Sequence, residues 1–285
     1  MYSLILENAA GNRLTFNQIG SPFTITDIDG LNPPSAQINV NDLALIDGSK
    51  YNSAKLEART INLAFAIEYE AEKNRIAVYK VLKSKQYIKL YYKSQYRNVF
   101  IEGYISDINI EYFNMKQVVT VSILCPDPYL RTAQEVIQDL SATIGLFHFP
   151  FYSPVTPEIV FGYIDPTVSV VVENNGDFEC GLIFTLTASD TVSDPTIFDY
   201  QTGEYIGIEF TFQAGDVVTI DTRKGYKTVT LLRGGVTSNI FNTLISGITW
   251  LQLSLNGSVY VYSVGSGTNA DLQVTIQHYD LFEGV

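Results

Sequence analysis

The chain has 285 residues, of which 46% are hydrophobic and 17% charged, and its formal net charge is -12. This composition indicates a globular protein and not a disordered one, and no apolar run approaches the ~18 residues that a membrane-spanning helix needs. The chain has only two cysteines and begins without the apolar run of a signal peptide. We therefore expect a soluble protein made in a reducing cytoplasm.

The excess negative charge is confined to the second half of the chain. Residues 1–130 contain 13 Lys+Arg and 13 Asp+Glu, whereas residues 131–285 contain 5 and 17. The change coincides with the double-proline stretch "CPDPYL", which predicts a domain boundary there. An acidic second half also argues against nucleic acid as its partner.

The first half reads as short strands interrupted by one helix. The strongest strand is "RTINLAFAIEY" (59–69), where apolar side chains alternate onto one face. A helix is predicted over 68–85, with Ile76, Tyr79 and Leu82 at helical spacing and acidic residues ahead of lysines. Strands then resume, which indicates an α+β domain over residues 1–140. The eight basic residues between Lys73 and Arg97 could bind phosphate, but nearby carboxylates cancel their charge and favour a solvated surface.

The stretch Cys125–Pro126–Asp127–Pro128–Tyr129 is predicted to be the turn that ends this domain. Neither proline can donate a backbone hydrogen bond, so both end a strand ladder. Asp127 can cap the turn, and Cys125 is interpreted as a small buried hydrophobic residue. A redox or metal role for Cys125 is the less favoured alternative.

Residues 141–166 are rich in proline and aromatic residues and are predicted to be a linker. Residues 167–285 then read as almost pure strand, separated by turns that include Asn256–Gly257, a type I′ hairpin signal. Many short strands at turn spacing predict an all-β sandwich of the jelly-roll kind.

The sequence shows little that predicts chemistry. Cys125, Cys180, His148 and His278 could in principle bind zinc, but none of them has metal-ligand spacing. The run His278–Tyr279–Asp280 lacks a nucleophile elbow, and the glycine-rich run 265–270 precedes a strand and not a helix. We therefore predict no enzymatic activity, no metal and no cofactor.

Several stretches of the chain follow one another in a distinctive order and spacing. In residues 29–67, Asp47–Gly48–Ser49 is followed by a strand that starts at Arg59. In residues 97–130, Gly103 falls in a strand pair and Phe113 precedes the strand that ends in "CPDPYL". Further stretches are "FHFPFYSP" in the linker, residues 215–232, the strand of Trp250, and residues 274–285 with the terminal Gly284–Val285. In this order and spacing they resemble the distal tail protein (Dit) family of long-tailed, siphovirus-type bacteriophages, with one departure at Asn256–Gly257, where the family pattern leads us to expect Pro-Gly.

The resemblance implies a structural protein of the virion tail tip, assembled in the host cytoplasm. Six N-terminal domains would form a ring that continues the tail tube, with galectin-like C-terminal sandwiches outside it. Asp47, Gly48, Lys50 and Arg59 are the candidate ring-interface residues. The implied partners are the tail tube protein, the tail-tip hub or tail-associated protein, the tape-measure end and a receptor-binding protein. DNA would pass through the lumen without specific binding, and no membrane would be involved.

Two other functions remain open from the sequence. The second domain could be a carbohydrate-binding module of a tail or cell-surface adhesin, with Trp250, Tyr260 and Tyr262 as sugar contacts, although a place in the core or on the sheet is favoured for them. A wall-degrading enzyme is the other alternative, and the missing acid/base constellation argues against it.

Overall fold

The computed structural model describes residues 2–42, 47–112, 116–140, 142–145, 162–165 and 169–285. The chain divides into two compact units. Unit 1 comprises Met1–Gln134 together with Leu281–Val285, and unit 2 comprises Glu135–Asp280. Phe113, His148 and most of the predicted linker 141–166, including "FHFPFYSP", lie outside the described residues.

Unit 1 consists of strands and one α-helix in its described part. In chain order these are β1 (Ser3–Asn8), β2 (Arg13–Phe16), β3 (Phe23–Asp29), β4 (Ala36–Asp42), β5 (Ser49–Leu56), β6 (Arg59–Ile67), α1 (Ala71–Val81), β7 (Tyr87–Lys93), β8 (Asn98–Ile110), β9 (Gln117–Cys125) and β10 (Leu130–Thr132).

The core of unit 1 lies on a nine-stranded sheet with the main order β2-β1-β7-β8-β9-β6-β3. The alternation predicted for residues 59–69 is confirmed, because Ile61, Leu63 and Phe65 are each fully buried. Aromatic rings of three strands also meet here: Phe65 lies edge-on to Phe16 at 4.9 Å and to Phe23 at 5.6 Å between ring centroids. Edge-on contacts of this kind stabilise a core beyond the area they bury.

The helix is shorter than predicted. It spans Ala71–Val81 and packs against β1, β2 and β6, with Val78 and Val81 buried. Of the residues named for their helical spacing, Ile76 and Tyr79 are 49% and 39% exposed, whereas Leu82, just after the helix, is buried. The spacing that predicted a helix therefore does not identify the face that meets the sheet. Among the described residues, no helix, including this one, is long and apolar enough to cross a membrane.

Unit 2 consists of short strands and two single-turn 3₁₀ helices in its described part. They are β11 (Val136–Asp139), β12 (Ala142–Gly145), β13 (Gly162–Asp165), β14 (Val170–Val172), β15 (Cys180–Ala188), β16 (Val192–Ser193), β17 (Thr196–Asp199), β18 (Tyr205–Gly207), β19 (Thr211–Phe212), β20 (Val217–Asp221), β21 (Thr228–Arg233), β22 (Val236–Asn239), η1 (Phe241–Thr243), β23 (Gln252–Leu253), β24 (Ser258–Ser263), η2 (Asn269–Asp271) and β25 (Leu272–His278).

Two sheets build the core of unit 2. The larger has the order β11-β25-β15-β20-β21-β22 with β23 attached to β15, and the smaller has the order β14-β24-β17-β18. β15 alternates strictly between buried and half-buried residues, and its Phe184 contacts Tyr260 of β24 edge-on at 5.9 Å. The two sheets therefore share one core, and the predicted mostly-β fold with a single helix in unit 1 is confirmed.

The predicted Asn256–Gly257 hairpin is wrong. The flanking strands β23 and β24 do not pair with each other, because β23 pairs with β15 whereas β24 pairs with β14 and β17. Gly257 has φ +78° and Asn256 is not in the left-handed region, whereas a type I′ turn needs both. The Gly257 N–H instead donates to Ser254 O, which makes a turn between two different sheets.

The last residues of the chain return to unit 1. Leu281–Phe282 form β26, which pairs antiparallel with β10, so that Leu130 faces Phe282 and Arg131 faces Leu281. Unit 2 is therefore an insertion between two neighbouring strands of the unit 1 sheet. The predicted domain ranges 1–140 and 167–285 do not include this return, which no local pattern in residues 281–285 indicates.

Candidate assembly surfaces

The strands β4 and β5 form a hairpin whose strands pair with no other described strand. Every residue of β4 and seven of the eight residues of β5 are exposed. The register pairs Ile38 with Ala54 and Val40 with Tyr51, which places four apolar side chains on one face. Ile38, Val40 and Tyr51 are 61%, 51% and 62% exposed. An isolated two-stranded hairpin is marginal in water, so this exposed apolar face is a candidate contact surface.

Three of the four predicted ring-interface residues lie at the far end of this hairpin. Asp47 and Gly48 lead into β5, with Gly48 at φ +93°, and Lys50 pairs with Asn41 across the hairpin. All three are exposed. They are therefore accessible to another molecule, and their role in a ring stays a prediction.

The fourth predicted interface residue, Arg59, is 3% exposed and cannot contact a neighbouring molecule in this structure. Its Nη1 donates to Gly30 O at 3.1 Å, and its Nη2 donates to Glu283 O. Burial lowers the pKa of this guanidinium group. Arg59 therefore links the C-terminal segment to β6 by a hydrogen bond. Its burial follows from the return of the chain end to unit 1.

The stretch Cys125–Tyr129, predicted as the domain-end turn, follows β9, and unit 1 continues beyond it through β10 to Gln134. Cys125 is the last residue of β9 and is fully buried, and burial raises the pKa of its thiol to about 12. After Pro126, the carboxylate of Asp127 accepts the Tyr129 N–H at 3.2 Å, and Pro128 lies between them. A Cβ on Gly103 would lie 2.8 Å from the Cys125 sulfur, so the neighbouring strand needs glycine here. The contacts support a structural role for this turn.

A charge cluster that sequence reasoning missed joins this turn to the sheet. Arg131 Nη2 lies 2.6 Å from Asp127 Oδ2, and Arg131 Nη1 lies 3.0 Å from Glu102 Oε2. Burial of Glu102 tends to raise its pKa, but hydrogen bonds and charges from Tyr87, Arg131 and Lys89 outweigh this and hold the pKa below its ordinary value. The only feature of the sequence that could have indicated this charge cluster is the four-residue spacing of Asp127 and Arg131.

The three aromatic residues named as candidate sugar contacts differ in their exposure to solvent. Tyr260 is fully buried and Tyr262 is 3% exposed, with its hydroxyl proton shared between Asn269 O at 2.9 Å and Leu272 O at 3.0 Å. Neither ring can stack on a sugar, which corrects that prediction: both point inward because β24 alternates onto the shared core. Trp250 alone remains partly exposed.

His278, the histidine in the described part of unit 2, lies in its interior. His278 Nε2 is 3.3 Å from Asp280 Oδ1, and the two side chains are 1% and 5% exposed. A pair this deeply buried is out of reach of a macromolecular substrate. No cluster of three or more potential metal-ligating side chains occurs among the residues that the structure describes.

Comparison with known proteins shows similarity in part of the sequence and in the fold. Residues 175–278 match the family model of the siphovirus-type tail component, C-terminal domain. The whole fold is similar to the Dit protein of phage SPP1, with a TM-score of 0.68 over 99% of both chains at 15% identity. That protein is described as a paradigm of hub adsorption apparatus in phages that infect Gram-positive hosts.

A chain of the phage P2 baseplate, in its activated conformation with calcium, is similar over 100% of both chains, with a TM-score of 0.58 and 10% identity. At these identities the structures establish the fold. None of the curated proteins is significantly similar to the chain. The family model and the fold together confirm the resemblance drawn from the sequence.

Proposed function

We propose that this chain, a member of the Dit family of siphovirus-type tail components, forms a hexameric ring that joins the tail tube to the tail tip and serves as a docking hub for host-adhesion proteins. Its role is structural and not enzymatic, and it is assembled in the host cytoplasm. The observation that carries the proposal is the hairpin β4–β5, whose apolar face is open to solvent.

The hairpin favours a second copy of the same chain as its partner. A ribbon with one apolar face and one polar face gains stability only when the apolar face is covered. On its polar face, Asn39 Nδ2 donates to Ser53 Oγ at 3.1 Å, so these side chains satisfy each other without a partner. Closed cyclic assemblies are the usual way in which one surface covers another on identical subunits.

The charge of unit 1 is compatible with close packing of copies. Unit 1 contains 14 Lys+Arg and 14 Asp+Glu, so identical units do not repel each other through net charge. The main path of its sheet also ends in two edge strands, β2 and β3, each paired along that path on one side only. These features support unit 1 as the ring-forming part.

The remaining partners are proposed from the family. The ring would stack on the tail tube protein, meet the tail-tip hub protein and the end of the tape measure, and bind receptor-binding proteins. DNA would pass through its lumen without sequence-specific contacts. Unit 2, with its net charge of -12, suits contact with other proteins better than contact with its own copies.

Light scattering of the purified chain tests the ring. We expect a species of six times the chain mass of 31.8 kDa, or a pair of such rings, and a six-fold ring in negative-stain images. Val40→Lys together with Tyr51→Lys places two charges on the apolar face and should yield folded monomers. Gln37→Lys with Asn39→Lys adds the same charge to the polar face and should leave the ring intact.

Monomers at all concentrations in the unaltered chain would overturn the hexamer. A ring that survives the Val40/Tyr51 change but dissociates with the Gln37/Asn39 change would assign the interface to the opposite face of the hairpin. A zymogram on bacterial cell walls tests the non-enzymatic role, and a zone of clearing would contradict it.

A further inference from the structure

The basic residues of unit 2 are concentrated in one turn. Unit 2 contains 16 Asp+Glu and only 4 Lys+Arg. Three of those four lie within five positions between β20 and β21, namely Arg223, Lys224 and Lys227. A positive site in so acidic a unit is unexpected if the only role of its charges is solubility.

The turn has a fixed conformation. The Tyr226 N–H donates to Arg223 O at 3.0 Å, and Gly225 has φ +86°, as a type II turn requires at this position. Arg223 is neutralised by Asp221, with Nε 3.0 Å from Oδ1 and Nη2 2.7 Å from Oδ2. The free positive charge of the turn therefore belongs to Lys224 and Lys227.

Both lysines are exposed, and no salt bridge in the described residues involves either of them. Lys227 Nζ lies 5.2 Å from the ring centroid of Trp250, and this ring stacks on Phe241 at 5.7 Å with an interplanar angle of 27°. The Arg223 guanidinium lies 4.9 Å from the ring centroid of Tyr226. Tyr226 and Phe241 are 47% and 44% exposed. The surface thus combines cations with exposed aromatic rings.

The segment of Trp250 is tied to the turn by buried hydrogen bonds. Gln252 Nε2 lies 3.0 Å from Thr222 O and Leu251 O and 3.2 Å from Trp250 O, and its two hydrogens are shared among these three carbonyl groups. Thr222 Oγ1, fully buried, donates to Leu251 O at 2.8 Å. Little conformational freedom is therefore left for a ligand to remove, and a preorganised surface of this kind is typical of a binding site.

We propose that this surface, formed by Lys224, Tyr226, Lys227, Phe241 and Trp250, binds a saccharide chain that carries anionic groups. The exposed rings offer apolar platforms for the C–H faces of sugar rings, and the two unpaired lysines bind carboxylate or phosphate groups. An acidic protein surface fits less well, because the -12 charge of unit 2 repels an extended anionic surface wherever it approaches beyond the turn. This inference is independent of the ring, since every residue it uses lies within one copy of unit 2.

The fluorescence of Trp250 tests the proposal directly, because it is the single tryptophan of the chain. The full-length protein is titrated with an oligogalacturonate as the carboxylate probe, with a phosphorylated mannan as the phosphate probe, and with neutral dextran. We expect at least one anionic saccharide to produce a saturable change in emission and dextran to produce none. The two anionic probes distinguish carboxylate from phosphate as the recognised group.

Variants identify the surface. Lys224→Ala and Lys227→Ala should each weaken binding of the active saccharide roughly tenfold, as expected for loss of one charged hydrogen bond. Lys224→Arg and Lys227→Arg should restore most of it. Lys83→Ala removes an exposed lysine of unit 1 and should leave the affinity unchanged. Circular dichroism confirms that each variant is folded.

The proposal is overturned if no anionic saccharide changes the emission, or if the lysine variants bind as tightly as the unaltered chain. It is also overturned if poly-glutamate binds and the anionic saccharides do not, because the surface then recognises acidic polypeptide. Light scattering on the same samples reports the oligomeric state, so failure of this inference is distinguishable from failure of the ring.

Discussion

Arg59 joins three segments of unit 1 through one guanidinium group. It belongs to β6, and its hydrogen bonds reach the carbonyl oxygens of Gly30 and Glu283. Replacing it by methionine keeps most of the buried volume but leaves two carbonyl groups without these donors. We expect Arg59→Met to lower the free energy of unfolding by about 2–4 kcal/mol, measured by urea denaturation. Arg13→Met removes an exposed ion pair with Glu7 and should cost less than ~0.5 kcal/mol. Equal effects of the two changes would contradict the proposed fastening role.

The two buried thiols make the free energy of unfolding depend on pH in the alkaline range. Burial raises the pKa of both Cys125 and Cys180 to about 12, from an ordinary value of 9.0. The folded protein therefore holds these protons more tightly than the unfolded chain does. Their contribution is complete below pH 9 and is lost as the pH rises from 9 toward 12, with each unit of pKa difference worth about 1.4 kcal/mol.

We expect the urea midpoint to fall between pH 9 and 11, and a variant with Cys125→Ala and Cys180→Ala to show a shallower fall. Burial also raises the pKa of Tyr87 and Tyr260, so some decline remains in that variant. Thiol reagents at pH 8 should modify neither cysteine until urea is added. Rapid modification of the native protein would show that the thiols are accessible.

The pairing of β10 with β26 determines how the units can be separated. Because Arg131 faces Leu281 across this pair, the chain leaves and re-enters unit 1 at neighbouring points. A variant in which residues 135–280 are replaced by a four-residue Gly-Ser linker should therefore fold and, if unit 1 makes the ring, should assemble. The fragment 1–134 lacks β26, and with it Phe282, which is 6% exposed in the core of unit 1.

We expect this fragment to be less stable than the linked variant by roughly 2–4 kcal/mol, the range for loss of a large buried side chain. Thermal unfolding followed by circular dichroism compares the two. Equal stability would mean that the returning strand contributes little.

At the scale of the whole molecule, the distribution of charge predicts how salt affects assembly. Six copies of unit 2 would bring six times its charge of -12 to one particle, whereas unit 1 contributes no net charge. Repulsion between exposed charges is screened beyond ~10 Å at 0.1 M salt. Added sodium chloride should therefore shift the full-length protein slightly toward the ring and have little effect on the linked variant without unit 2. Dissociation by salt in light scattering would instead indicate ion pairs between subunits.

The sequence by itself determined those features that depend on residues close together in the chain. Alternation in 59–67 placed Ile61 and Phe65 in a buried strand face, because successive side chains of a strand point to opposite sides. Pro126 and Pro128 marked the end of β9, because proline cannot donate to a ladder. The charge difference between the halves marked two units, and the order of several weak stretches indicated the family.

Only the tertiary structure decided which strands meet and which surfaces remain open. The Asn256–Gly257 pair failed as a hairpin signal because its flanking strands find better partners in two different sheets. Arg59 was taken for an interface residue because nothing local shows that residues 281–285 return to cover it. The hairpin β4–β5 has apolar residues on one face like many half-buried strands, yet that face is exposed. In each case the outcome depends on contacts between residues far apart in the chain, which local propensity does not encode.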